Sequence, residues 1–135
     1  MDRPDSFCMS IPVTAKDVHK TIKEYGSSTY LISANADNHP HVANLTFAID
    51  KNDLIFTVGK RGTKNLENCP HVTMLWPPKE LGGYSLIIDG IASKHENFDG
   101  SGSVWKISFD SGILHRPAQN LAGNDDSCGS DCQTI

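Results

Sequence analysis

The sequence predicts a mainly β protein: a closed antiparallel barrel of six strands, with an N-terminal helix and one further short helix. Three observations carry this. Six segments either alternate apolar and polar residues or run as short apolar stretches between turn residues. The turns at 36–40 and 51–53 have hairpin length, and only two segments show helical spacing. Closure also removes the unpaired edges that a small open sheet would expose.

Each element has its own signal. Thr14 is placed to cap a helix over 15–25, where Val18, Ile22 and Tyr25 form one apolar face and Gly26 is the stop. The period then shortens. Residues 30–35 form a strand, 36–40 a turn and 41–50 a longer strand, with Leu45, Phe47 and Ile49 on one side and Asn44 and Thr46 on the other. Lys51, Asn52 and Asp53 close a second hairpin. Strand 54–58 sets Leu54, Phe56 and Val58 against Ile55 and Thr57. Gly59-Lys60-Arg61-Gly62 is expected to be a basic turn, followed by a short helix over 63–68 that Pro70 ends. A strand at 72–76, a loop at 77–83 and a long strand at 84–96 come next. Gly90 in mid-strand predicts a bulge or sharp bend. A turn at 97–102 leads to the last strand, 104–114. From Arg116 the chain is rich in Asn, Asp, Ser and Gly and is expected to be a mobile tail, so that one domain spans 1–115 and the tail 116–135.

At 135 residues the chain has enough length for one self-sufficient core. Its net charge of −4 and the lack of a Lys/Arg block argue against a nucleic-acid partner. No apolar run is long enough to span a membrane, and residues 1–13 lack the basic-then-apolar order of a signal peptide, so a cytoplasmic location is expected. Cys8, Cys69, Cys128 and Cys132 are expected as free thiols there. The Cys128/Cys132 pair has no histidine nearby to complete a metal set, and an incidental pair in the tail is the simpler reading.

Residues 54–70, LIFTVGKRGTKNLENCP, hold the most informative pattern. A strand enters a glycine-bracketed basic turn and then a helix, which gathers Arg61, Lys64, the Thr57 hydroxyl and a helix N-terminus. Free N–H groups, a positive helix end and two cations suit an anion, most simply a phosphate. A basic turn that serves solubility alone has the same composition.

The ordered set Pro40-His41-Val42, Ile55-Phe56-Thr57, Arg61, Lys64-Asn65-Leu66 and Pro70-His71-Val72 resembles the flavin-binding split-barrel family named after pyridoxamine 5′-phosphate oxidase. The strand YSLIIDGIA, 84–92, is similar to the family strand with a central x-G-x-A. The resemblance covers about 30–96. It implies a homodimer of Greek-key split barrels binding FMN, or alternatively the deazaflavin coenzyme, at the subunit interface. It implies that Arg61 and Lys64 neutralise the phosphate and Thr57, beside Phe56, hydrogen-bonds it. Ala43, Asn44, Leu45, Thr46 and Phe47 would line the ring system, and Trp76 would stack on the ring or close the pocket. An ordinary core position for Trp76 is the competing reading. The chain lacks the longer basic C-terminal segment of true pyridoxamine-phosphate oxidases, so a short family member acting on another small organic molecule by hydride transfer is expected.

No nucleophile–base or carboxylate pair stands out, and no catalytic residue is assigned. His39 and His41 flank Pro40 and could form a metal pair, but a third ligand is missing and solvated turn imidazoles fit as well. Two other classes stay open: a non-catalytic flavin or haem carrier of the same fold, and a small barrel that binds a macromolecular partner without a cofactor.

Overall fold

Strands β1 (Ser10–Val13), β2 (Ser28–Ala34), β3 (Pro40–Asp50), β4 (Asp53–Val58), β5 (His71–Trp76), β6 (Ser85–Lys94) and β7 (Ser103–His115) are joined by helices α1 (Val18–Tyr25) and α2 (Lys60–Asn68). The computed structural model describes residues 10–95 and 103–117. Six strands close into an antiparallel barrel in the order β7-β4-β3-β2-β5-β6 and back to β7. The expected turn at 97–102, the tail beyond Pro117, and Cys8, Cys128 and Cys132 lie outside the described residues. Cys69 is a half-buried free thiol. No described helix is long and apolar enough to cross a membrane.

β1 was not expected. It pairs with β7 from Ser10 opposite His115 to Val13 opposite Gly112, along the edge that β4 occupies only as far as Ile107. Only Val13 of its four residues is buried, so the segment carries almost no alternation to betray it. The N-terminal helix also starts later than its apolar spacing suggests. Thr14 does not cap it: its carbonyl accepts from the Asp17 N–H at 3.0 Å in a turn, and Asp17 is the N-cap. A chain leaving β1 needs that turn before it can wind. Gly26 ends α1 as expected, with φ +106° and its N–H donating to the Ile22 carbonyl at 2.9 Å.

The expected basic turn at 59–62 is instead the first turn of α2. Gly59 is the extended N-cap, and Lys60 and Arg61 are good helix formers. Gly62 belongs inside the helix because a Cβ there would sit 2.5 Å from Cγ1 of buried Val58. The bulge at Gly90 is present: Asp89 faces Ser111 and Gly90 faces Phe109, leaving Asp110 as the extra residue.

Phe56, Trp76, Leu86, Ile88, Met74 and Ile107 fill the barrel. Half-buried Phe47 packs edge-on to Trp76, centroids 5.8 Å apart, and tilted against Phe56 at 5.3 Å. α2 lies against β2 and adds Leu66 to the core. Its buried Asn65 donates to the Ser33 hydroxyl at 3.3 Å, and Trp105 Nε1 donates to the Thr63 hydroxyl at 3.4 Å. These contacts set the roll of α2 and hence which of its residues face outward.

Tyr25 ties α1 to the loop before β6 by donating its hydroxyl to the Tyr84 carbonyl at 2.8 Å. Burial, helped by the neighbouring Glu24 carboxylate, raises its pKa above the ordinary 10.0. The unfolded chain therefore releases this proton first as pH rises. The contribution is intact below the ordinary value and is lost as pH climbs through the raised one. Denaturation midpoints are expected to fall more steeply above pH 10 for the native chain than for Tyr25→Phe, which parallel denaturant titrations would show.

Candidate functional site

Two clefts meet at the N-terminal end of α2. The narrower, about 270 Å³, runs beneath the helix start, with Gly59, Lys60, Arg61 and Gly62 on one side. Leu31, Ala43, Leu45 and Val58 supply apolar wall, and Ser33 and His41 supply polar groups. The wider, about 550 Å³, lies between α2 and the 35–39 connection with the start of β3, and it shares Arg61 and His41 with the first.

The helix start is electrostatically prepared. The Thr63 N–H makes its bond to the Gly59 carbonyl at 2.8 Å, and N–H groups in a helix's opening turn have no intrahelical acceptor. They add their partial charge to that of Lys60 and Arg61. Arg61 and Lys64 are exposed, and among the described residues neither takes part in an ion pair, whereas Lys94 is held by Glu67 at 3.0 Å. Among the described residues Asp37 is the only carboxylate on either lining.

The facing wall is held by its own hydrogen bonds. The Asn35 side-chain oxygen accepts from the N–H groups of Asp37 at 2.8 Å and His39 at 3.0 Å. The Asn35 N–H donates to the His39 carbonyl at 3.0 Å, and Asn38 takes φ +65°, which asparagine tolerates. This loop presents His39, and the start of β3 presents His41, to the cleft beside α2.

The expected site residues divide. Arg61 reaches both clefts, Lys64 the wider one, and Ala43 and Leu45 the narrower one. Asn44 and Thr46 stand exposed on the outer face of β3, and Thr57 on the outer face of β4, opposite to buried Val58; none of the three lines either cleft. Phe47 points toward the core and toward a separate cleft beside α1. Phe56 and Trp76 lie in the core. Phe56 is wholly buried and Trp76 is 1% exposed, with Nε1 donating to the Gly26 carbonyl at 3.0 Å, so neither ring is open to a ligand.

Sequence reading weighed His39 and His41 only as a metal pair and did not place them, or Asn65 and Asn68, beside Arg61 and Lys64, where all four line the wider cleft. The last two were within reach. Once the helix starts at Lys60, residues 61, 64, 65 and 68 fall at i, i+3, i+4 and i+7 on one face. No group of three metal-ligating side chains occurs among the described residues.

No family model matches the chain. Uncharacterized proteins of Mycobacterium bovis and Mycobacterium tuberculosis are each 51% identical to it over 35 residues, 26% of this chain, and the chain spans about a quarter of the length of these relatives, 25%. Among solved structures, a provisional pyridoxamine 5′-phosphate oxidase of Listeria innocua superposes with a TM-score of 0.60 and 25% identity, covering 75% of this chain and 98% of its own. A FAD-binding protein of Mesorhizobium loti gives 0.61 at 14% identity over 81% and 98% of the two chains. The heme storage protein HutZ of Vibrio cholerae gives 0.59 at 15% over 76% and 95%. The chain thus has the pyridoxamine 5′-phosphate oxidase-like split-barrel fold, which occurs in proteins that hold flavin and in proteins that hold haem.

Proposed function

We propose that this chain, a split barrel of the pyridoxamine 5′-phosphate oxidase-like fold, binds a phosphate-bearing flavin-type cofactor and acts as an oxidoreductase on a small organic substrate. The observation that carries the reading is the pair of cations Arg61 and Lys64, neither in an ion pair among the described residues, beside the open start of α2. Charge-assisted hydrogen bonds from Arg61, Lys64 and the helix N–H groups would hold the phosphate. Leu31, Ala43, Leu45 and Val58 offer apolar contact and exclude water from one side. FMN, or the deazaflavin coenzyme, supplies the hydride-carrying ring when bound. The visible spectrum of purified protein mixed with FMN, deazaflavin or haemin and then desalted tests this. Retained FMN or deazaflavin is the expected result, and retention of neither would overturn it.

His41 favours a second reading, a non-catalytic haem carrier. It is a half-buried imidazole where the two clefts join, beside a guanidinium suited to a propionate. A Soret band in the same experiment, lost on His41→Ala, would select it.

A homodimer is part of the proposal. Val42 and Tyr30, 56% and 36% exposed, lie on the outer faces of neighbouring strands β3 and β2, with Ile91 at 41% on β6. A second copy of the sheet would cover them. Light scattering is expected to give the dimer mass for the native chain and the monomer mass for Val42→Asp.

A further inference from the structure

We infer that the cleft beside α1 is a binding site of its own, for a small aromatic carboxylate. The site stands whether or not flavin binds. The cleft, about 280 Å³, lies between the end of α1 and the C-terminal half of β3. Ile22, Lys23, Gly26, Ser27, Phe47 and Ile49 line it, and none of these lines the two clefts at α2. An apolar cavity of about 150 Å³ holds one benzene ring, so this volume suits a fused pair of rings.

The lining is apolar with a single charge. Ile22, Phe47 and Ile49 supply hydrocarbon and one aromatic ring, and Ile49 is exposed, so a ligand would cover apolar surface that now meets water. Gly26 keeps the space open: a Cβ there would meet nothing within 4 Å. Among the described residues Lys23 is the only charged side chain on this lining, and it takes part in no ion pair. It stands in the last turn of α1. A helix end carries about half a negative charge, less than the full positive charge of an ammonium, so the net field still favours an anion. One anionic group on an aromatic body complements this arrangement, and the Ser27 hydroxyl can donate to the same carboxylate.

The walls are in place before any ligand arrives. The Phe47 N–H donates to the Ser27 carbonyl at 3.0 Å, and Trp76 Nε1 donates to the Gly26 carbonyl at 3.0 Å. The Phe47 ring is fixed by its edge-on contact with Trp76. Ordering costs are therefore small. The same contacts set a reporter, the Trp76 indole N–H, directly behind the cleft wall.

The test follows the isotope-labelled full chain by NMR as naphthoate, or its uncharged counterpart naphthalenemethanol, is added. Naphthoate is expected to shift the Trp76 indole N–H and the amides of Gly26, Ser27 and Phe47 in a saturable way. The alcohol is expected to shift the same signals with roughly fivefold weaker affinity, the worth of one exposed ion pair. Lys23→Gln should bring naphthoate down to the affinity of the alcohol and leave the alcohol unchanged. Ile49→Ser should weaken both ligands alike. Both residues are exposed, so folding is spared. FMN added to the naphthoate-saturated protein should leave these shifts in place. The inference is overturned by the absence of saturable shifts, or by shifts centred on Gly59 to Arg61. Equal affinity for acid and alcohol, a preference that survives Lys23→Gln, or displacement by FMN overturns it too. So does a lower mass for Ile49→Ser in light scattering, which would mean that a second copy covers the cleft.

Discussion

Alanine at both Arg61 and Lys64 is expected to weaken FMN binding roughly a hundredfold. Each contact to a phosphate is a charge-assisted bond at an exposed site, so the pair should contribute about 3 kcal/mol after solvent screening. The backbone N–H groups of α2 survive the substitution, which is why binding should weaken and not vanish. Both side chains are exposed and neither takes part in an ion pair among the described residues, so the melting temperature should stay within a few degrees of native. The native affinity should also fall with added salt, and that slope should flatten in the double variant. Unchanged FMN affinity with a native melting curve would remove the phosphate from this helix.

Trp76→Ala is expected to cost about 3 to 5 kcal/mol of folding stability, the range for emptying a large aromatic site in a core. Trp76 is 1% exposed and packs edge-on to Phe47, and its indole N–H satisfies the Gly26 carbonyl at the end of α1. The substitution leaves a cavity and also frees that carbonyl. Against the 5 to 15 kcal/mol typical of a small domain, this lowers the melting temperature by roughly 10 °C or more. Trp76→Phe should recover most of the packing without the hydrogen bond. A Trp76→Ala protein with a native melting curve and lost FMN binding would instead place the indole against the cofactor.

Several elements were legible because their cause is local. The alternation in 54–58, the mid-strand Gly90 and the stop at Gly26 each answer to a backbone requirement that neighbours in sequence supply. β1 and the true start of α2 were hidden for the opposite reason. β1 exists because β7 extends past the end of β4 and leaves an edge to pair, a fact held at the far end of the described chain. Gly62 looks like a turn residue until Val58 is seen to forbid a Cβ there. Taking 59–62 as a turn then broke the helical spacing that joins Arg61 to Asn65 and Asn68.

By itself the sequence determined the barrel, the basic segment at its mouth and the resemblance to split-barrel flavoproteins, because alternation, turn chemistry and charge are properties of consecutive residues. Only the tertiary structure decided that Phe56 and Trp76 are core residues, since burial depends on which face of a closed sheet turns inward. Only it decided that His39 and His41 face Arg61 and Lys64 across a cleft, because that distance is set by how α2 packs on β2 through Asn65 and Ser33.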